Sequence, residues 1–223
     1  MSLAELAGLL ADRTRATICV ALLDGRAWTA GELAKLAKVA PSTASGHLSR
    51  LIAGGILAEE RQGRHRYVRL AGPEVAALIE DLSSFGAPPP ARSLRESNRR
   101  RAEARARTCY DHLAGHLGVA VADAMVRDGL VADDAGLAVT PAGVAWLDRL
   151  GIAPAPARGR RPLVRSCLDW TERRTHLAGT VGAALCAAAL DRHWVERAGG
   201  GRALRITPAG TTAFRTHLNI ELP

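Results

Sequence analysis

Across the first 85 residues, apolar positions recur at helical spacing and change once to strict alternation. Leu3–Leu10 and 12–23 read as two helices, the second capped by Asp12 and carrying Ile18, Ala21 and Leu22 on one face. Thr29 caps a third helix, with Glu32 in capping-box register, that runs to about Ala37. Val39-Ala40-Pro41 then turns the chain and places Pro41 at the first position of a fourth helix. Its buried stripe is Ala44, Leu48 and Leu51, and Gly54-Gly55 ends it. Residues 56–60 are extended, Gln62-Gly63-Arg64 turns, and 65–70 alternates, as a two-stranded ribbon would. A further helix is expected over 73–85. The order is helix, helix, helix–turn–helix, ribbon, helix.

Three consecutive prolines in "GAPPPARS" (86–93) mark a boundary. Residues 92–107 follow with seven Arg against Glu96 and Glu103, which suits either a solvated linker helix or a contact to a nucleic-acid backbone. Beyond them the chain repeats itself. "RTCYDHLAG" (107–115) leads to "VTPAG" (139–143), and "RSCLDWTERRTHLAG" (165–179) leads to "ITPAG" (206–210). Each copy predicts an apolar helix, a Gly-containing hairpin and a helix opened by Thr-Pro, and the second carries six extra residues, 170–175. The predicted fold class is mainly α with small β-hairpins (α+β). A winged helix-turn-helix over 1–85 precedes a linker over 86–107 and a duplicated domain over 108–223. Its two helix–hairpin–helix repeats span about 107–153 and 165–218 and pack about a pseudo-twofold axis.

The outer side of the fourth helix is unusual. Ser42, Thr43, Ser45, Gly46, His47 and Arg50 are small, polar or basic, with no carboxylate among them. A net charge of +8 over 223 residues points the same way, toward an acidic partner. Short polar side chains allow close approach to a major groove, and Arg61, Arg64, His65 and Arg66 at the ribbon tip suit phosphate contact. The expected partner is double-stranded operator DNA. "LADRTRATICVALLDG", "TAGELAKLAKVAPSTASGHLSRLIAGGIL" and "ERQGRHRYVRL" together resemble the ArsR family of bacterial transcriptional regulators over roughly residues 5–85. The resemblance implies a homodimer, built from the first helix and the helix after the wing, that represses transcription and releases DNA when an inducer binds. Many metal sensors of that family carry Cys-x-Cys before the turn, whereas "WTAGELAKLAK" here has neither Cys nor His.

The effector chemistry is sought in the repeats. Cys109, His112 and His116 lie at i, i+3 and i+7, so on a helix they share a face, with Asp111 beside it; Cys167, Asp169 and His176 are the counterparts. Three readings stay open: small core residues, a metal or thiol sensor, and a small-molecule pocket lined by Trp146, Trp170, Trp194 and Tyr110. Cys19 and Cys186 sit in apolar helical stretches and read as buried and inert. No cofactor is named by the sequence beyond a candidate metal ion or small-molecule inducer. Nothing resembles a nucleophile elbow, a phosphate loop or a metallohydrolase motif, so no enzyme is expected. A constitutive or architectural DNA-binding protein, and a Cys/His-dependent enzyme, are the alternatives. Four scattered Cys, no basic-then-apolar leader and no run of about 18 apolar residues lead to the expectation of a cytoplasmic protein without a membrane partner.

Overall fold

The computed structural model describes residues 1–63, 65–85, 91, 93–133, 136–155 and 161–222. The chain divides into two compact units, Met1–Glu80 and Asp81–Pro223.

The first unit opens with α1 (Leu3–Leu10), closed at its start by a Ser2–Glu5 capping box. Then follow α2 (Arg13–Ala21), β1 (Trp28–Thr29), α3 (Ala30–Ala37) and α4 (Pro41–Ala53). The wing is β2 (Leu57–Gln62) and β3 (His65–Leu70), and α5 (Pro73–Ser84) follows it. Ile18, Leu22, Leu33, Leu48, Leu51 and Val68 form the buried centre. Each such side chain, fully buried, contributes about 1.5–3 kcal/mol. Arg15 fixes α1 from within: its guanidinium donates to the carbonyls of Gly8 and Leu9.

Two local features differ from the sequence reading. The second helix stops at Ala21, and Leu22–Asp24 forms a 3-10 turn closed by Gly25 in the left-handed region. The buried Asp24 carboxylate explains the stop. It accepts from the Arg26 backbone N–H and side chain and from Trp28 Nε1, which pulls the chain out of helical register. Trp28 and Thr29 then pair antiparallel with Val68 and Tyr67, adding a third strand to the wing in the order β1-β3-β2. Asp24 and Trp28 are too far apart in pattern terms to announce this strand.

The boundary falls within the last turn of α5, and the first helix wholly in the second unit is the Arg-rich α6 (Leu94–Arg105). Two successions of hairpin, helix, hairpin, helix follow. The first is β4 (Arg107–Cys109), β5 (His112–Ala114), α7 (Gly115–Arg127), β6 (Val131–Ala132), β7 (Ala138–Val139) and α8 (Pro141–Arg149). The second is β8 (Arg165–Leu168), β9 (Thr175–Ala178), α9 (Gly179–Asp191), β10 (Val195–Arg197), β11 (Leu204–Ile206) and α10 (Pro208–Leu218). Each half therefore opens with a hairpin. One hydrophobic core runs through both halves and includes Leu117, Met125 and Leu147 from the first with Val181, Leu185 and Phe214 from the second. Ala203, the residue before β11, also pairs antiparallel with Arg107 of β4 in an isolated bridge.

The Thr-Pro-Ala-Gly motif has a steric reason in both halves. Thr140 and Thr207 cap α8 and α10 by accepting from the N–H groups of Gly143 and Gly210 at 3.0 Å. Each hydroxyl donates to a carbonyl of the preceding turn, Gly129 or His193. That geometry presses the first turn of the helix onto backbone. A Cβ at Gly143 would overlap the Leu130 carbonyl oxygen, and one at Gly210 the Trp194 carbonyl oxygen. Gly210→Ala is expected to cost about 1–3 kcal/mol through this overlap. Urea unfolding should show a lower midpoint at an unchanged slope.

Candidate functional site

Helix α4 buries Ala44, Leu48 and Leu51 and turns Ser42, Thr43, Gly46, Ser49 and Arg50 to solvent. At 100° per residue, Ser42, Gly46, Ser49 and Arg50 cluster opposite the buried stripe. Ser49 belongs to this face although it was not singled out from the sequence; its place on the wheel was the available signal. Ser45 is half-buried at the margin. His47 departs from the expectation: it lies on the flank, its Nδ1 3.6 Å from Asp12 Oδ1 and 3.5 Å from Arg15 Nη1. Backbone and guanidinium contacts from Arg15 hold the Asp12 carboxyl below its ordinary range, and His47 adds to them.

In the wing, Arg61 and Arg66 are cross-strand partners. Both reach one carboxylate: Glu59 accepts from Arg61 Nε at 2.9 Å and from Arg66 Nη2 at 2.8 Å. Arg69 similarly faces Glu60 at 3.7 Å. The wing's positive charge is thus partly compensated within the hairpin, which the sequence pattern did not disclose. Arg64 and the side chain of His65 lie outside the described residues.

The second unit holds a buried cluster. Cys109 pairs directly with His112 across β4–β5, and Cys167 pairs with His176 across β8–β9. The two hairpins bring these pairs together. Cys109 Sγ lies 3.8 Å from Cys167 Sγ, and the His112 and His176 rings are 5.1 Å apart. One sulfur or nitrogen from each of the four residues falls within 4.8 Å of the others, and all four side chains are buried. Small residues permit the approach: Ala114 and Ala178 pack with the two cysteines. A Cβ at Gly118 on α7 would overlap the Leu113 carbonyl oxygen at 2.4 Å, and one at Gly182 on α9 the Leu177 carbonyl oxygen at 2.4 Å, so both helices lie directly on the strands that carry the histidines.

Carboxylates flank the cluster symmetrically. His112 Nδ1 is 3.3 Å from Asp111 Oδ1, and His176 Nδ1 is 3.3 Å from Asp169 Oδ2. Asp111 is held by Arg161 at 2.6 Å. Asp169 is wholly buried. It accepts from Arg107 Nη2 at 2.9 Å, the Gly115 N–H at 2.7 Å, and both the N–H and hydroxyl of Thr171. Arg107 is also wholly buried, with its guanidinium 4.9 Å from the Trp170 ring centroid. Burial alone would raise the Asp169 carboxyl, but His176, Arg107, Thr171 and the Gly115 N–H hold it far below the usual range. Asp111 is also lowered: His112 and Arg161 outweigh its burial. The Cys167 thiol is pushed down by its contact with Cys109, against burial and with help from both histidines. Burial opposes the His176 imidazolium, yet Asp169 and Cys167 more than offset it and its pKa rises.

Several expectations are corrected here. Cys109, His112 and His116 do not share a helix face, because the first two face each other across a hairpin. His116 sits half-exposed on α7, with Nδ1 3.6 Å from Glu172 Oε2. Asp111 and Asp169 orient the histidines rather than converge with the sulfurs. Trp146 and Trp194 line a small apolar cleft of about 10 Å³ with Leu113, Leu185 and Phe214, but Trp170 and Tyr110 do not. Burial raises the Cys19 and Cys186 thiols to about 11 and about 12, so neither is reactive near neutrality. Among the described residues, no helix is long and apolar enough to cross a membrane.

The helix-turn-helix domain family matches residues 10–60. The HTH-type transcriptional regulator YdfF of Bacillus subtilis (strain 168) is 42% identical over 223 residues, 99% of each chain. Among solved structures, reduced HlyU from Vibrio cholerae is 27% identical, over 38% of this chain and 88% of its own, with a TM-score of 0.35. A homodimeric winged helix-turn-helix DNA-binding domain from Mycobacterium bovis, titled a possible ArsR-family regulator, is 29% identical, over 37% and 76%, also with a TM-score of 0.35.

Proposed function

The chain belongs to the HTH-type transcriptional regulators, with an ArsR-like winged module, and from that membership we propose that it is a homodimeric repressor controlled through its second unit. As a DNA-binding regulator it reads the major groove with the outer face of α4, and the wing meets flanking phosphates. The observation that carries this reading is the composition of that face: four small or polar residues and one Arg are exposed, and no acidic residue occurs in the helix. Dimerisation is supported by α1, whose sequence LAELAGLL buries no residue and leaves Leu3 82% exposed. Effector control is supported by the buried cluster that both halves of the second unit build. The segment leading from α6 into β4 connects that cluster to the preceding chain, because Cys109 follows Arg105 by four residues.

Footprinting tests the DNA reading. Two half-sites about one helical turn apart, near 34 Å, are expected. A single half-site bound by a monomer would remove the dimer from the reading. Promoter fusions separate repression from activation. Arg50→Ala should narrow the gap between operator and random DNA by about 1–3 kcal/mol, whereas Arg66→Ala should weaken both alike and lower the salt slope by about one. The opposite pattern would show that helix and wing exchange these roles. An effector that acts through the cluster should change operator affinity by roughly 5–150-fold.

A further inference from the structure

Four potential ligand atoms converge in a buried place, and two of them have nothing else to bind. His112 and His176 are 5% and 1% exposed, and neither Nε2 has a hydrogen-bond partner. A buried imidazole nitrogen left in that state is costly, at about 1–3 kcal/mol. Each Nδ1 faces its own carboxylate at 3.3 Å: His112 Nδ1 is hydrogen-bonded to Asp111, and His176 Nδ1 lies within ion-pair range of Asp169 without the alignment of a hydrogen bond. An Nδ1–H turned to a carboxylate leaves Nε2 with a free lone pair, the tautomer that a metal ion requires.

We propose that Cys109 Sγ, Cys167 Sγ, His112 Nε2 and His176 Nε2 form a tetrahedral binding site for a divalent ion of the zinc class. The proposal gives a chemical identity to the effector site of the preceding reading and rests on that reading for its regulatory consequence.

Distance, charge and ligand type agree. With metal–sulfur bonds of about 2.3 Å, the sulfur–sulfur edge of a tetrahedron is about 3.8 Å. The observed separation is 3.8 Å. The widest spread among the four atoms is bounded by 4.8 Å. Contraction of that pair by roughly an ångström, shared among rotating side chains, completes the tetrahedron. Binding releases two protons to solvent, one from Cys109 and one held between Cys167 and His176, as one dication enters. Two thiolates and two neutral imidazoles then balance the ion. Asp169 is already balanced by Arg107, and Asp111 by Arg161. The occupied centre carries no uncompensated buried charge, which favours a divalent over a monovalent ion. Mixed thiolate and imidazole ligands exclude calcium and magnesium. All four positions come from protein, as in a closed zinc site rather than a catalytic one with an open position. Because each hairpin gives one Cys and one His, the ion would tie the two halves of the unit together.

The full chain, stripped with chelator under reducing conditions, is titrated with cobalt(II) and then with zinc. Saturation at one ion per chain is expected, with the strong visible bands of tetrahedral cobalt and a sulfur-to-cobalt charge-transfer band that zinc abolishes. Cys109→Ser and Cys167→Ser should each weaken binding about 100-fold or more. If a Ser variant proves unstable, Cys167→His keeps four ligands, so tetrahedral cobalt should persist with a weaker charge-transfer band. Asp111→Asn removes the carboxylate that positions His112, and with it the counter-charge of Arg161, but none of the four ligands. It should lower zinc affinity about 10–100-fold while leaving the tetrahedral bands in place.

Octahedral, weakly bound cobalt that is indifferent to the cysteine substitutions would overturn the proposal. So would a Cys109–Cys167 disulfide forming readily in a chain that takes up no metal. Operator affinity measured on the same stripped and zinc-loaded preparations separates the two readings. Stoichiometric tetrahedral binding with unchanged DNA affinity upholds the metal site and removes its effector role.

Discussion

Arg107→Met should unfold the second unit far below its normal midpoint while the winged module melts as before. Arg107 and Asp169 are both 0% exposed and are 2.9 Å apart. Removing the cation leaves a carboxylate in the interior with its charge uncompensated, a loss of about 3–5 kcal/mol. At about 2–4 °C per kcal/mol, the midpoint should fall by roughly 6–20 °C. Met keeps the apolar stem of the side chain, so the change is confined to the guanidinium. Three other contacts go with the charge: the Glu103 carbonyl, the Thr171 hydroxyl and the Trp170 face. The double variant Arg107→Met/Asp169→Asn supplies the control. Asn still offers a carbonyl oxygen to the Gly115 N–H or to Thr171 but carries no charge, so it should recover a substantial part of the loss. If the single and double variants melt alike, packing and not charge governs the site. Differential scanning calorimetry resolves the two transitions, and near-UV circular dichroism, to which Trp146, Trp170 and Trp194 contribute from the second unit and only Trp28 from the first, follows mainly the second unit.

The winged module was legible because each of its decisions is local. A capping box at Thr29–Glu32, Pro41 at a helix start and the i, i+4, i+7 stripe of Ala44, Leu48 and Leu51 are each settled within one helical turn. The strand at Trp28–Thr29 was not legible, because its partners lie about 40 residues away and its side chains carry no alternation. The buried cluster was half legible. The repeated Cys, Asp and His were visible as chemistry, but a spacing of i, i+3 and i+7 reads as a helix until the turn is known. Tyr110 adopts a left-handed backbone, φ 59°, and that reversal at the hairpin tip sets Cys109 opposite His112. Nothing in the residue type announces it, since Tyr seldom adopts that conformation. In the second half the six residues between Asp169 and His176 make the same reversal by a longer loop. There Asp169 accepts the N–H groups of Thr171 and Glu172, so the carboxylate that flanks His176 also builds the loop.

Gly46→Glu should raise the stability of the winged module and abolish operator binding. Gly46 lies inside α4, exposed, and a Cβ built there meets nothing within 4 Å. A glycine at such a position costs a helix roughly 0.5–1 kcal/mol relative to a good helix former, so the fold alone gives no reason to keep it. Its neighbours on the same face, Ser42, Ser49 and Arg50, are short or basic. The absence of a side chain at the middle of that face lets the helix backbone approach the groove floor. Glu there stabilises the helix but sets a carboxylate among phosphates and base edges, where like-charge apposition costs several kcal/mol. At 1.4 kcal/mol per factor of ten, operator affinity should fall by roughly 100–1,000-fold. Gly46→Ala separates the two parts of the effect. It brings the same helix gain without the charge, so any loss of affinity measures steric approach alone and should be smaller, on the order of tenfold for about 1.4 kcal/mol of displaced groove contact. Chemical denaturation and fluorescence anisotropy on one operator duplex, at one salt concentration, decide the matter. Higher stability with undiminished operator affinity in both variants would mean that another surface of the module reads the DNA.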